Sequence, residues 1–402
     1  MTAWHTHASD GGLEMASEKM ATGKPPIPWR TVFLLSFAHM AVDATTLYVG
    51  TRLAIAAIDN GGYASALWLM AVYNCLAFAP QGLMGWFVDR LRAPVLSATV
   101  GAAMAAASFF LWPYQPMLAL WIAGLGNALF HAGAGSIVLS HSYGRAAPGG
   151  VFVGPGSLGV ILGTYIGYGE WPGSACIIAA CLAVVVLLPL CASLPAPRPW
   201  RSDESSAAPP SSVPWPLMVL LIALLLPVIA SRQFLGGSGS VSTAMMTAWI
   251  SLELTAMLGK MLFGFVADRF GWFLMTVPLL FAAVPLMIFG PWLPSAGARF
   301  AVAVSAVFMV QGAMPVTLAA LARILPRHSA LAFGLAGSAL WLGGLPTDLG
   351  WNIAPTWIFP AVQIFSAVTI AAALLLLRRA RPLPVNETRD YGAVPAEGAF
   401  RT

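Results

Sequence analysis

Long hydrophobic runs alternate with short polar breaks along almost the whole chain. A transmembrane helix needs about 20 mostly apolar residues, and each run is close to that length. Gly, Pro or charged residues separate one run from the next. The pattern predicts an all-α integral membrane protein with twelve transmembrane helices, at 31–58, 64–87, 94–112, 116–140, 150–168, 174–194, 216–235, 242–265, 273–291, 298–322, 329–348 and 355–377.

Composition supports a bilayer as the solvent of this chain. Hydrophobic residues make up 58% of the sequence and charged residues only 9%, against roughly 25% charged in a soluble domain. The cysteines lie inside hydrophobic runs without paired metal-ligand spacing, so we interpret them as small core residues. We therefore expect no disulfide, no metal site and no cofactor; the residues concerned are Cys75, Cys176, Cys181 and Cys191.

A charged tract occurs twice, each time between two membrane-length runs. Residues 85–92 (GWFVDRLR) return as residues 264–271 (GFVADRFG), and 179 positions separate Asp89 from Asp268 in a chain of 402. A repeat of half the chain indicates a duplicated transporter with two pseudo-symmetric six-helix halves and one shared site. The predicted domains are a tail at 1–29, bundles at 30–194 and 216–377, a Pro- and Ser-rich linker at 195–215, and a tail at 378–402.

The basic residues predict the orientation in the membrane. With the amino terminus inside, nearly all of them fall on the cytoplasmic side, and the opposite side keeps little more than Arg299. This positive-inside asymmetry and the even helix count place both termini in the cytoplasm of a multi-pass inner-membrane protein. The same loop residues account for the net charge of +5, so the charge gives no reason to expect nucleic acid as a partner. The polar first thirty residues lack the apolar core of a signal peptide.

The loops leave no room for a soluble catalytic domain, so we do not expect an enzyme. The sequence has no Gly-rich loop ending in Gly-Lys-Ser/Thr and no His-Glu-x-x-His pattern, which removes the usual signs of ATP or metalloprotease chemistry. Uphill transport would then draw on an ion gradient. The expected partners are a small-molecule substrate, protons and the lipid bilayer, and we expect a monomer.

Ionisable groups inside the predicted helices are the candidates for proton coupling, since a charge at mid-bilayer costs roughly 2.5–3.5 kcal/mol. His39 and Asp43 are spaced i, i+4 on the first helix, and Asn127 and His131 repeat that spacing on the fourth. An imidazole beside a carboxylate exchanges a proton near neutral pH. Two alternatives stay open: Asp43 is a structural partner for His39 or Arg52, and His131 bonds a backbone carbonyl.

Other polar groups in the runs are candidates for coupling and for substrate binding. Glu253 is a second coupling candidate, or else the counter-ion of Arg232. Arg232 and Arg52 are candidate acceptors for an anionic group on the substrate, although Arg52 also suits a position snorkelling to the interface. Tyr73, Asn74, Gln81 and Gln311 are candidates for a polar cavity, each also explained by bonds between helices. The cavity candidates further include Asn127 and Trp341, although tryptophans mostly serve as interfacial anchors.

The two charged tracts predict a gate. An Asp at the membrane surface can bind the positive N-terminus of a neighbouring helix, and the adjacent Arg can pair with acidic groups or anionic lipid. The alternative is that each Asp-Arg pair merely marks a helix end. Recurrence in both halves favours the gate, and its predicted residues are Gly85, Asp89, Arg90, Gly264, Asp268 and Arg269.

These tracts resemble the loop motif G-x-x-x-D-R-x-G-R of the major facilitator superfamily, and the resemblance runs through residues 30–377. Shorter segments resemble the fosmidomycin-resistance branch of efflux proteins: 38–43 (AHMAVD), 126–131 (GNALFH), 232–234 (RQF), 314–317 (MPVT), 324–327 (ILPR) and 332–335 (AFGL). The resemblance implies the superfamily fold and alternating access. It also implies that Asp89 faces the start of the eleventh helix near Ser329, and Asp268 the start of the fifth near Gly150.

The fifth helix bears on the direction of transport. Its Gly154-Pro155-Gly156 segment, continued by Gly159, Gly163 and Gly167, resembles the superfamily's antiporter signature, although close helix packing alone also explains the stripe. The chain departs from the branch after His131, where Ala-Gly replaces Pro-Glu. We predict proton-coupled export of a small anionic or amphipathic molecule; the alternatives are uptake by proton symport, a lipid flippase and a transport-inactive sensor of the same fold.

Overall fold

Every regular element in the described part of the chain is a helix. The computed structural model describes residues 26–169, 173–190, 213–236, 243–350 and 357–380. The helices are α1 Trp29–Gly61, α2 Tyr63–Phe78 with Gln81–Leu91, α3 Pro94–Leu111, α4 Pro116–Ser140, α5 Ala147–Tyr168, α6 Gly173–Leu190, α7 Trp215–Gly236, α8 Thr243–Phe270, α9 Trp272–Phe289, α10 Ala296–Gln311 with Met314–Ile324, α11 Ser329–Asp348 and α12 Ile358–Arg379. A short 3-10 turn, Gly290–Trp292, follows α9. The predicted linker and both tails lie largely outside the described residues.

The helices match the predicted runs in number and order. The charged tracts, predicted from the sequence to lie between two runs, are instead part of helices. Residues 85–91 form the end of α2, and residues 264–270 form the end of α8. Nothing in either tract breaks a helix before the chain reaches a left-handed residue, Arg92 at φ 52° and Gly271 at φ 99°. The gate aspartates therefore stand on rigid helix ends.

Two of the predicted continuous helices are interrupted. α2 pauses at Ala79-Pro80, and α10 pauses at Gly312-Ala313, just before Pro315. Proline has no N–H to donate to the preceding turn, so it interrupts a helix where neighbouring helices can satisfy the freed groups. Apolar run length carries no sign of these breaks, which is why the hydrophobic pattern gives one helix in each case.

The surface of the molecule is that of a multi-pass membrane protein. Eleven of the described helical spans are long and apolar enough to cross a bilayer, and α6 is a shorter apolar helix. Large apolar side chains stand exposed on the outside of the bundle, among them Leu274 at 68% and Val186 at 66% exposure. Such a surface suits contact with the lipid hydrocarbon, and each helix satisfies the hydrogen bonds of its own backbone groups.

The contacts between helices show two halves built on one plan. The pairs α1–α5, α2–α4, α3–α4, α3–α6 and α1–α6 recur as α7–α11, α8–α10, α9–α10, α9–α12 and α7–α12. The two halves meet through α2 against α11 and α8 against α5. The described residues thus form two pseudo-symmetric six-helix halves, as the repeated tract predicts.

The α5 glycines bring that helix directly onto α1. A Cβ placed on Gly159 would lie 2.9 Å from the Cβ of Asp43 and 3.1 Å from the backbone nitrogen of Ala44. A Cβ on Gly163 would lie 2.9 Å from the Cβ of Leu47. Helices without hydrophobic driving force between them pack best through such small residues. The stripe therefore fixes the backbone next to the predicted coupling residue.

The symmetry is broken around α7. In the first half, α1 packs against both α2 and α3. In the second half, the described parts of α7 make little contact with α8 and α9. The described parts of the second half are therefore packed less closely around α7 than the first half is around α1, and a cavity lies beside α7.

Candidate functional site

A buried polar cluster joins α1 and α4. Asp43 accepts a hydrogen bond from Asn127 Nδ2 at 2.8 Å, and its other oxygen lies 3.1 Å from His39 Nε2. His131 Nε2 lies 2.8 Å from His39 Nε2 and 3.8 Å from Asp43. All four residues are at most 7% exposed. The i, i+4 spacings on the two helices thus bring the four predicted side chains to one point.

The contacts of the two histidines indicate where their protons can lie. His39 Nδ1 lies 2.9 Å from the carbonyl oxygen of Phe152, and His131 Nδ1 lies 2.8 Å from that of Asn127. A carbonyl oxygen only accepts, so each Nδ1 carries a proton. The two Nε2 atoms then form a hydrogen bond with each other only if one of them is also protonated. These contacts are all satisfied when the pair carries one proton more than two neutral rings, next to the carboxylate of Asp43.

The same side chains are of types that bind transition metals, and their ligand atoms lie within 4.8 Å of one another. Two imidazole nitrogens bound 2.0–2.1 Å from a tetrahedral zinc ion are separated by about 3.3 Å. The observed separation between His39 Nε2 and His131 Nε2 is 2.8 Å, the ordinary length of a hydrogen bond. The cluster as described therefore has the geometry of a shared proton.

Aromatic rings and a hydroxyl surround this cluster. The His39 ring packs 4.8 Å from Phe152, and the His131 ring lies 6.3 Å from Phe333, a residue of α11. Thr46 accepts a hydrogen bond from the hydroxyl of Tyr73 at 2.8 Å and lies 3.3 Å from the amide of Asn127. Tyr73 was predicted to line a cavity; it is instead a buried support of the cluster. The rings keep water away, which strengthens the electrostatic interactions inside.

The first charged tract caps the start of α11. Both oxygens of Asp89 accept backbone hydrogen bonds, from Ala330 at 3.1 Å and Leu331 at 2.8 Å. These positions directly follow Ser329, where the resemblance places the partner of Asp89. Gly85 allows the approach, since a Cβ there would lie 2.9 Å from the Leu331 nitrogen. Arg90 is exposed beside this contact.

The second tract caps the start of α5 in the same way. Asp268 accepts backbone hydrogen bonds from Ala146 at 2.8 Å and Ala147 at 2.9 Å, slightly before Gly150. A Cβ on Gly264 would lie 2.8 Å from the Ala147 Cα, and Arg269 is exposed. Each half therefore binds the N-terminus of a helix of the other half through one aspartate, and both contacts lie at the same face of the membrane. The helix dipole favours a carboxylate at a helix N-terminus.

Some predicted cavity residues lie at the contact between the halves. Asn74 donates a hydrogen bond to Asp348 at 2.8 Å, which joins α2 to α11 away from the gate. Gln81 is 1% exposed, packs against Gly337 of α11 and donates to the carbonyl of Ala77 at 2.8 Å. These side chains hold helices together in this conformation rather than lining an open space.

Arg52 lies apart from the buried cluster. Its guanidinium is 5.4 Å from the centre of the Trp112 ring, and its Nη1 is 3.5 Å from the carbonyl of Gly167. Among the described residues it forms no ion pair with Asp43, whose charged neighbours are the two imidazoles. Of the two interpretations of Arg52, the position beside an interfacial tryptophan fits better.

A cavity of about 390 Å³ lies in the second half, between α7, α9, α10 and α12. Two predicted residues, Arg232 and Gln311, are in its wall. Trp341 is half-buried on α11 and is not part of that wall. Glu253 is half-buried on α8, and within the described ranges it forms no ion pair with Arg232.

Sequence reasoning missed several partners of the predicted residues. Asp348 is an acid inside an apolar run, and the cost of such a group is the signal that would have singled it out. Thr317 holds Arg232, and Ser157 accepts a hydrogen bond from Lys260 at 2.9 Å across the α5–α8 contact. Serine and threonine are common in apolar helices, so these two gave no such signal.

Comparison with known proteins finds likeness in structure. No protein-family model matches the sequence, and a search of curated proteins finds no match. A point variant of the Escherichia coli fucose:proton symporter FucP matches with a TM-score of 0.57 at 13% identity, over 88% of this chain and 99% of that one. FucP in the outward conformation, described as a major facilitator superfamily transporter, matches with a TM-score of 0.58 at 12% identity, over 88% and 98% of the two chains. The chain has the fold of a major facilitator superfamily transporter.

Proposed function

We propose that the protein is a secondary active transporter that moves a small anionic or amphipathic molecule by alternating access, in exchange for protons. The observation that carries this proposal is the buried His39–Asp43–His131 cluster, whose contacts are satisfied by one proton beyond those of two neutral imidazoles. A proton held beside a carboxylate at this depth is expensive unless it is used.

In the proposed cycle the shared proton leaves and returns from opposite sides of the membrane. Loss of the proton removes the Nε2–Nε2 hydrogen bond and leaves Asp43 without a balancing charge, which destabilises the state described here. The gate formed by Asp89 and Asp268 is closed in this state. The distribution of basic residues puts that gate and both termini on the cytoplasmic side of an inner membrane.

The proposed architecture follows the repeat in the sequence. The bundles at 30–194 and 216–377 rock against each other, and the linker at 195–215 joins them on the cytoplasmic side. One chain contains both halves of the gate and the contacts between the halves, so a monomer suffices for the cycle.

Export is the direction we favour, because α5 carries the Gly-Pro-Gly segment that resembles the antiporter signature. Uptake is the second candidate, since the structurally similar FucP is a fucose:proton symporter. The polarity of the proton gradient that drives transport separates the two. A gradient directed into the cell drives export only by antiport.

The test uses purified protein in proteoliposomes with an imposed pH gradient. A thermal-shift screen against metabolites and antibiotics first supplies a transported compound. Wild-type protein should accumulate that compound only with the gradient, and a protonophore should abolish the accumulation. Asp43→Asn should still exchange labelled for unlabelled compound but lose gradient-driven accumulation, since it cannot carry the balancing charge.

The matched control is Asp59→Asn, because Asp59 is an exposed acid at the end of the same helix. It should behave as the wild type. If Asp43→Asn accumulates the compound with unchanged pH dependence, the cluster is not the coupling site and the proposal fails.

A further inference from the structure

Arg232 on α7 is a buried cation with unused hydrogen-bond donors. The residue is 1% exposed, and its Nη1 donates to the hydroxyl of Thr317 on α10 at 3.0 Å. Thr317 in turn donates to the carbonyl of Met314 at 2.8 Å, so the guanidinium is tied to α10 at one corner. Nε and Nη2 are buried and have no partner in the part of the chain that the structure describes.

The two free donors are adjacent on the guanidinium. The Nε–H and the nearer Nη2–H point the same way along one edge of the planar group, spaced to meet the two oxygens of a carboxylate. A buried charge without hydrogen-bond partners is costly, and an acid on a neighbouring helix usually removes that cost. In the described residues no carboxylate lies within ion-pair distance of Arg232. The edge is shaped for an anion that the described residues do not supply.

The cavity next to Arg232 has the opposite chemistry. Its volume is about 390 Å³, at the lower end of the roughly 300–1,000 Å³ of small-molecule sites. Apart from Arg232, Gln311 and Arg299, its wall is made of apolar side chains and small residues. Arg299 is exposed and its Nη1 donates to the carbonyl of Leu293 at 2.8 Å, so Arg232 is the buried one of the two cations in the wall. A ligand in this cavity would contact the charged guanidinium at one end and apolar side chains along the rest of its length.

We propose that this cavity binds an organic carboxylate with an apolar body, and that the carboxylate docks side-on against Nε and Nη2 of Arg232. The proposal names the substrate class of the proposed transporter and rests on that function. It also assigns the two tasks to different halves, the proton to α1 and α4, and the substrate to α7 and α10. Nε and Nη2 are buried in this structure, so the carboxylate docks once this edge of the guanidinium opens towards the cavity.

The experiment compares the binding of carboxylic acids with the binding of the corresponding uncharged amides. ω-Phenyl carboxylates of increasing chain length, and the amide of each, are titrated calorimetrically into the purified wild-type protein at a fixed pH. The amide keeps shape and apolar area and loses the charge, so the best acid should bind about 10- to 100-fold more tightly than its amide. Chloride and inorganic phosphate should bind far more weakly than that acid, because they leave the apolar wall unused.

Variants connect the discrimination to one side chain. Arg232→Gln should bind acid and amide equally, and Arg232→Lys should keep only part of the preference, since a point charge lacks the two parallel donors. The control is Arg323→Gln, an exposed arginine at the end of α10, which should bind as the wild type. The acid–amide comparison on the wild type needs no variant, so it holds even if Arg232→Gln does not fold.

The outcomes separate this proposal from proton coupling. Four results would each overturn the carboxylate site without bearing on gradient-driven transport. They are equal binding of every acid and its amide, no binding of any acid, tight binding of inorganic anions, and an unchanged preference for acids in folded Arg232→Gln. Asp43→Asn should still prefer acids, because the binding assay has no gradient. Unchanged gradient-driven accumulation in Asp43→Asn together with intact acid binding would count against the proton cluster alone.

Discussion

Replacing Asp89 and Asp268 by asparagine tests whether these two carboxylates hold one face of the protein closed. Each carboxylate accepts two backbone N–H groups at the start of a helix that belongs to the other half, at 2.8–3.1 Å. Asparagine keeps nearly the same shape. It loses the negative charge and offers one oxygen where the aspartate offers two.

The structure sets the expected size of the effect. A side-chain bond to the N-terminus of a helix stabilises it by about 1 kcal/mol, and the charge at a partly buried helix end adds up to about 1 kcal/mol more. Each contact thus favours the closed state by about 1–2 kcal/mol, and the two together by about 2–4 kcal/mol. At 1.4 kcal/mol for each factor of ten, the double variant should raise the ratio of open to closed molecules about 30- to 700-fold.

Spin labels at the two helix ends measure that ratio. Leu91 and Phe270 are 71% and 61% exposed at the ends of α2 and α8, so labelled cysteines there disturb little packing in a cysteine-free background. Pulsed dipolar spectroscopy should show a longer distance whose population rises in each single variant and rises most in the double variant. Asp59→Asn is the charge-matched control. If the double variant keeps the control's distance distribution, the carboxylates only mark helix ends.

Three further outcomes follow from individual contacts. Gly159→Ala should lower the stability to unfolding in sodium dodecyl sulfate by about 1–3 kcal/mol, because its Cβ overlaps the α1 backbone. Gly297→Ala, with nothing within 4 Å, should lose nothing in the same titration. Asp348→Ala leaves the Asn74 amide without its hydrogen-bond acceptor. Losing that bond costs about 1–2 kcal/mol, so the labelling rate of a cysteine introduced between α2 and α11 should rise by about 5- to 30-fold. In the His131→Gln variant, ¹⁵N spectra should show His39 as a neutral imidazole. A His39 spectrum identical to that of the wild type would contradict the shared proton.

The helices were predictable because the bilayer imposes one length and one composition on them. The bounds of α4 and α11 agree with the hydrophobic runs, since Pro116 and Ser329 begin them at polar breaks. The interruptions in α2 and α10 were not predictable from apolar length. They depend on which neighbouring helix satisfies the freed backbone groups, and that is a property of tertiary packing.

The site was predictable where residues share a helix face and not where they meet across helices. The i, i+4 spacing of His39 and Asp43 is enough by itself to indicate a pair. That His131 points at the same place depends on how α4 packs against α1, which the sequence does not state. For Arg232 the sequence left two partners open, a substrate anion or Glu253. The described residues contain no ion pair between Arg232 and Glu253, which favours the first.

A single helix connects the gate, the proton cluster and the cavity. Asp89 binds the start of α11, and Phe333 one turn later lies 6.3 Å from the ring of His131. Further along, α11 packs against α7, where a Cβ on Gly343 would lie 2.8 Å from the Cα of Ala230, two residues before Arg232. Helices packed this closely move as rigid bodies between discrete arrangements. A displacement of α11 would therefore alter all three contacts together, and under the proposed function this is a physical route by which loss of a proton in one half changes anion binding in the other.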